Sequence, residues 1–202
     1  MRGRFLIAVL LVISSGSVAQ ENAPKPRVSD APLTSEQIAV YRAVLGVYLK
    51  GSDRVLNLAN VTEPLDGADT ACVRGLDAGV VKGSASIVHR IAPAIVANTK
   101  IVLVDSDRQQ VTIKENDPQN LMRKAIDDHQ KITEEQLDQS IKSAFDTGLF
   151  TLSEIAFDRE HRRAAAGYSF VCGGLCGNGN TLVLKKIGHS WKVARRCGGW
   201  VS

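Results

Sequence analysis

The sequence predicts an α+β domain, with N-terminal and central helices packed on a C-terminal antiparallel β-meander. Three observations predict it. Before residue 150 apolar residues recur at helical intervals, twice behind a capping box. From Phe150 the period changes to alternation, and the breaks between the alternating runs are rich in turn residues. Helices first and sequential short-linked strands last is the pattern of a segregated α+β fold.

The chain opens with a segment outside that domain. Arg2 and Arg4 precede an unbroken apolar run, Phe5 to Ile13, and Ser17 and Ala19 are small residues at the two positions a signal peptidase reads. Nine apolar residues rise only ~14 Å as a helix, about half a bilayer. Residues 1–19 are therefore expected to be a signal peptide, with the mature chain secreted or periplasmic after cleavage near Ala19. Both arginines leave with the signal, so the formal net charge of +4 overstates the mature chain. So small a charge makes no electrostatic case for nucleic acid or a membrane surface. No later segment approaches the ~20 apolar residues of a membrane helix.

Gln20 to Leu33 carries three prolines and reads as a flexible leader, leaving residues 34–202 as one domain. Thr34 and Gln37 stand at capping-box spacing before Ile38, Tyr41, Val44, Leu45, Tyr48 and Leu49, which predicts a helix over 35–50 ended by Gly51. Val55 to Thr62 alternates as a strand, whereas Gly67 to Ser86 gives no period. Ile87, Val88, Ile91 and Ile95 fit a short helix kinked or restarted at Pro93. Ile101–Val104 and Val111–Ile113 read as two strands around a polar turn that uses Asp105 and Asp107. Asp117-Pro118 is a helix start, with Leu121, Met122, Ala125 and Ile126 as the apolar side. Thr133 and Gln136 form the second capping box, followed by Leu137, Ile141, Ala144 and Phe145 and stopped by Gly148. FTLSEIAF, RAAAGYSFVC, TLVLKKI and WKVARRC are then four strands, joined through DREH, GGLCGNGN and GHS.

The four cysteines are Cys72, Cys172, Cys176 and Cys197. In an oxidising compartment an even count means two disulfides, and zinc would need a second short knuckle besides Cys172-x₃-Cys176. A glycine-rich turn can bring Cys172 to Cys176, which leaves Cys72 for Cys197. A redox dithiol at Cys172 and Cys176 competes. Catalytic dithiols, however, sit as C-x-x-C at a helix start, and this pair has one residue too many between two strands.

Other candidate chemistry has an ordinary explanation. Gly173 to Gly179 could cradle an anion, but neither a helix start nor a P-loop lysine follows, and positive φ in a tight turn explains the glycines. His89, His129, His161 and His189 never fall at metal-ligand spacing. Asp127-Asp128-His129 and Glu134-Glu135 read as surface charge at helix ends, and Asn60-Val61-Thr62 is a glycosylation sequon. No G-x-S-x-G is present. No catalytic, metal or cofactor residue is assigned.

The tail carries the most specific pattern: Tyr168, Cys172-Gly173-Gly174-Leu175-Cys176-Gly177, Gly179, Trp191-Lys192-Val193 and a final Trp200-Val201-Ser202. It resembles a group of exported bacterial proteins of uncharacterised function that end in Y-x-C-G-G-L-C-G-x-G, W-K-[IV] and W-[IV]-S. Leu58 to Leu65, with Thr62 before Glu63-Pro64, is similar to their early strand and turn, while Cys72 and Cys197 are additions. The resemblance implies fold and compartment and no activity. Lys186 to Val193 also resembles the late strand of nuclear-transport-factor-2-like domains, which implies a cone-shaped α+β fold. The resulting expectation is an exported, non-catalytic binding module for an unknown small molecule or protein partner. A pocket-containing hydrolase-like enzyme and a thiol-disulfide protein are the alternatives. Buried acids or histidines facing a pocket would favour the enzyme.

Overall fold

The computed structural model describes residues 26–65, 71–77, 80, 87–96 and 100–202. The signal segment 1–19, the first residues of the leader and most of 67–86 lie outside the described residues. Along the rest run β1 (Arg27–Ser29), α1 (Ser35–Tyr48), β2 (Leu56–Ala59), β3 (Ile87–His89), a 3₁₀ turn (Pro93–Val96) and β4 (Ile101–Val104). Three helices follow, α2 (Ser106–Glu115), α3 (Pro118–Asp127) and α4 (Glu134–Thr147). The chain ends in β5 (Leu149–Phe157), β6 (Arg163–Gly173), β7 (Cys176–Ile187) and β8 (Ser190–Val201). This is an α+β fold.

The main sheet has the order β4-β2-β5-β6-β7-β8. Strands β5 to β8 pair as the antiparallel meander that the alternation predicts. The sheet extends beyond it, because β2 lies parallel to both β4 and β5. Both capping boxes form. Thr34 and Gln37 exchange hydrogen bonds of 2.8 and 3.2 Å, and Thr133 and Gln136 bonds of 2.9 and 3.2 Å. Pro118 opens α3 behind its Asp117 cap.

Three expectations are corrected. Val111–Ile113 is the second half of α2 and not a strand, and Asp105 is that helix's N-cap, accepting from the Arg108 N–H at 3.0 Å. Asp serves turns and N-caps alike, and α2 buries Ile113 alone, so no apolar stripe marked it as a helix. Ile87–His89 is a strand, and only Pro93 onward is helical, as a 3₁₀ turn. The partner of that strand is β1, in parallel register Arg27↔Ile87, Val28↔Val88 and Ser29↔His89. Part of the leader is therefore tied to the domain, and Leu33 is buried in its core.

The sheet is covered on both faces. On the first, Val40, Tyr41, Val44 and Leu45 of α1 pack with Leu58, Phe150, Leu152, Ala166 and Leu182. Each large side chain buried this way contributes roughly 1.5–3 kcal/mol. On the second face, Leu65, Val73 and Leu76 cover Ala156, Ala165 and Val183. The structure joins Cys72 to Cys197 at this cover, with Cα atoms 5.8 Å apart, and Cys172 to Cys176 at the β6–β7 turn, 5.1 Å apart. With both faces covered, Leu149 to Ala156 of β5 is buried throughout.

Candidate functional site

Side chains alternate across a strand, and in β5 a register shift between Leu152 and Ile155 resets the alternation, so that Ala156, Ser153 and Thr151 share the second face. At one end of that face the residues are apolar: Ala156, Ala165, Val183 and Cys197. Further along the same strands they become Ser153, Gly167 and Thr181, then Thr151, Ser169 and Gly179. The cover ends with Leu65, and beyond it lies a cavity of about 590 Å³ lined by Glu63, Thr151, Ser153, Ser169, Thr181 and Trp200 among others. Among the described residues, the buried polar side chains are Thr62, Thr151, Ser153, Glu154 and Thr181. Three of these five line this groove.

The groove's polar groups are ordered. Thr151 Oγ1 lies 2.6 Å from Ser169 Oγ and 3.1 Å from Glu63 Oε2. A hydroxyl has one proton, and the carboxylate only accepts, so Thr151 donates to Glu63 and Ser169 donates to Thr151. Ser153 Oγ accepts from the Gly167 N–H at 2.6 Å and donates to the Glu154 carbonyl at 2.7 Å. Glu63 is held through its backbone, which donates to the Leu152 carbonyl at 2.9 Å and accepts from the Glu154 N–H at 2.7 Å.

Trp200 forms the aromatic wall. Register shifts between β7 and β8 flank Leu182 and Val183, and Gly198 takes a φ of +77° where the extra β8 residue is absorbed. Trp200 then pairs with Gly179. A Cβ on Gly179 would run into the indole Nε1, and one on Gly177 would stand 2.9 Å from Cζ3. The indole therefore lies across two glycines that leave it room, and it remains 45% exposed. This corrects the reading of the glycine run. Within Gly173–Gly179 only Gly173 has positive φ, while Gly177 and Gly179 are strand residues that allow close approach. Asn180 also lines the groove, and its Oδ1 is buried with no hydrogen-bond partner.

A buried acid does exist, beside the groove. Glu154 accepts from the Thr62 hydroxyl and, at 3.0 Å, from the His89 N–H, and His89 Nδ1 lies 2.9 Å from its other oxygen. Thr62 Oγ1 in turn accepts from the His89 N–H at 2.8 Å. These bonds tie β3 and the Val61–Glu63 segment to β5. Burial, and then the charge of Glu154, push the Tyr41 hydroxyl well above its usual range, and that hydroxyl donates to the Ser153 carbonyl at 2.9 Å. With Thr62 buried in this knot, the Asn60 sequon is not presented as an open loop.

The remaining predicted residues scatter. His161 Nδ1 and Lys186 Nζ lie 2.7 and 2.6 Å from the two Glu36 oxygens on the surface. Burial raises the Glu36 pKa, but hydrogen bonds from Lys186 and His161 outweigh it and hold the carboxyl below its usual value. His129 and His189 are exposed, as are Asp107, Asp127, Asp128, Glu134 and Glu135. Among the described residues no three His, Cys, Asp or Glu side chains converge as a metal site. Cys172 and Cys176 border a second cavity of about 600 Å³, between α3, α4 and the β6–β7 turn, whose walls include Met122, Leu137, Ile141, Phe145 and Leu175. Its Asp117 carboxylate is spent on the Gln119 and Gly174 N–H groups. That cavity offers apolar area with few polar groups to orient a ligand.

Compared with protein-family models, curated proteins and solved structures, the chain matches none. The groove has to be read from its own chemistry.

Proposed function

We propose that the protein is an exported, disulfide-stabilised binding module whose polar groove takes a small polar ligand. The observation that carries this reading is Trp200, a half-exposed indole bedded on Gly177 and Gly179 beside an ordered Ser169–Thr151–Glu63 chain. Ligand sites pair apolar or aromatic wall with a few fixed polar groups, and this groove has both. Export rests on the signal-like residues 1–19, and two cysteine pairs at disulfide distance agree with an oxidising compartment. Among the described residues no helix is long and apolar enough to cross a membrane. The tail's resemblance to exported bacterial proteins points the same way.

Catalysis is the weaker reading. Among the described lining residues Glu63 is the one carboxylate, whereas glycoside-type hydrolysis uses two across the scissile bond. Glu154 is committed to Thr62 and His89. The redox reading is weaker too. Cys172 is fully buried on a strand and is not in the first turn of a helix, and the α3 start that lies beside the β6–β7 turn brings the Asp117 carboxylate there, which disfavours a thiolate.

Thermal-shift screening of the oxidised mature chain against a small-molecule library tests the proposal, because a ligand that binds only the folded state raises its stability. Some polar compound should raise Tm in the wild type and not in Ser169→Tyr, whose ring fills the groove. A shift of equal size in both proteins would move the site elsewhere.

A further inference from the structure

We infer that the apolar cavity between α3, α4 and the β6–β7 turn is a second binding site, for a cationic amphiphile whose alkyl chain fills it and whose ammonium group meets Asp117. This site does not depend on the polar groove. Three observations lead there. The first is the apolar surface that the helices leave uncovered. Among the described residues α3 buries no side chain and α4 buries Ala144 alone. Even so, Met122 of α3 and Leu137, Ile141 and Phe145 of α4 are exposed and line one cavity, joined by the more exposed Leu175 and Val201. Apolar side chains gathered in the open, rather than scattered singly, mark a place where something docks.

The second is shape. These side chains line a concavity of about 600 Å³ backed by Phe170 and Cys172, both buried on β6. Concave sites of this volume with mainly hydrophobic walls take one small molecule. The Cys172–Cys176 bond holds the turn that forms one of those walls. An alkyl chain laid along them gains from all the apolar area it removes from water.

The third is charge. Asp117 is the one charged side chain among the cavity's described lining residues. Its Oδ1 accepts from the Gln119 N–H at 2.9 Å and its Oδ2 from the Gly174 N–H at 2.8 Å, which fixes the carboxylate beside the turn. Neutral N–H donors use part of its acceptor capacity and none of its charge. The positive end of α3 offsets some of that charge and leaves the rest. Among the described residues no lysine, arginine or histidine forms an ion pair with it. Arg54 stacks over the Phe145 ring, 4.6 Å from its centroid, but is not among the lining residues. A cation in the cavity therefore meets attraction at Asp117 and an anion repulsion. A plain hydrocarbon would use the walls and waste the carboxylate, and an alkylammonium uses both.

Decylamine, 1-decanol and decanoate carry one chain under a positive, a neutral and a negative head at pH 7. Each is titrated below its micelle concentration into the oxidised protein while the methyl resonances of Met122, Leu137 and Ile141 are followed. Decylamine should move all three saturably and bind about fivefold tighter than decanol, the upper end for an ion pair that water still reaches, with decanoate weakest. Asp117→Asn keeps an acceptor at the helix cap, and it should bring decylamine down to the affinity of decanol while decanol is unchanged. Ile141→Trp, which fills the cavity, should abolish binding of all three, and Ser169→Tyr, which fills the groove, should leave it intact. Decanoate binding as tightly as decylamine, or an amine preference that survives Asp117→Asn, would overturn the inference. So would methyl signals that move with none of the three, or that move with protein concentration alone, the sign of a second copy covering this face.

Discussion

The two ends of the sheet's second face are made by the same strands and do different work. At one end Leu65, Val73 and Leu76 lie on Ala156, Ala165 and Val183, and the Cys72–Cys197 bond closes the cover. At the other end the cover stops, and the strands offer Thr151, Ser153, Ser169 and Thr181 to a cavity. Substituting apolar residues there would have extended the core at little structural cost. Three buried polar side chains in one place, each of which must find hydrogen bonds or lose stability, are what support the proposal of a ligand surface there. On the proposed reading, the clamped end supplies stability and the open end recognition.

The largest way to break the comparison is at the clamp. Cys72→Ser removes a closure spanning 125 residues, worth about 4–5 kcal/mol by loop entropy. Denaturant unfolding without reductant should show that loss, and a larger loss in the Cys172→Ser/Cys176→Ser double variant would reverse the ranking. Next, Leu65→Ala empties a fully buried site and should cost about 3 kcal/mol. Thr151→Val, at the open end, should cost only about 1 kcal/mol while lowering ligand affinity. A Thr151→Val protein as unstable as Leu65→Ala would make the groove a structural element.

The smallest effect is expected at the surface, at Glu36. Its folded-state pKa lies below the ordinary value of 4.5. Its ion pairs therefore contribute stability above that value, and the contribution disappears as pH falls through the lower folded value. The stability gap between wild type and Glu36→Gln should be present at pH 6 and shrink as the pH is lowered below 4.5. A gap that widens on acidification would contradict the sign.

Much of the framework was legible because local chemistry specified it. Thr34 with Gln37 and Thr133 with Gln136 set helix starts through bonds within one turn, and the alternation after Phe150 set the meander. What was missed depended on distant partners. Ile87–His89 reads as a strand only once Arg27–Ser29 lies beside it. The parallel seat of β2 between β4 and β5 has no local signature. α2 carried too few apolar residues to show a period. The groove was hidden for the same reason. Gly177 and Gly179 look like turn residues until the β7–β8 register lays Trp200 across them. The buried acid Glu154 looked like one more strand residue until Thr62 and His89 arrived from earlier segments.

The division of the second face is tested most directly by amide shift mapping of the oxidised protein with whichever polar compound raises the Tm of the wild type in the library screen. The account predicts saturable shifts at Thr151, Ser169, Gly179 and Trp200, with Cys72, Val73 and Leu76 unmoved. Shifts centred on Leu137, Ile141 and Leu175 in the apolar cavity, or on the Cys72–Cys197 cover, would contradict it.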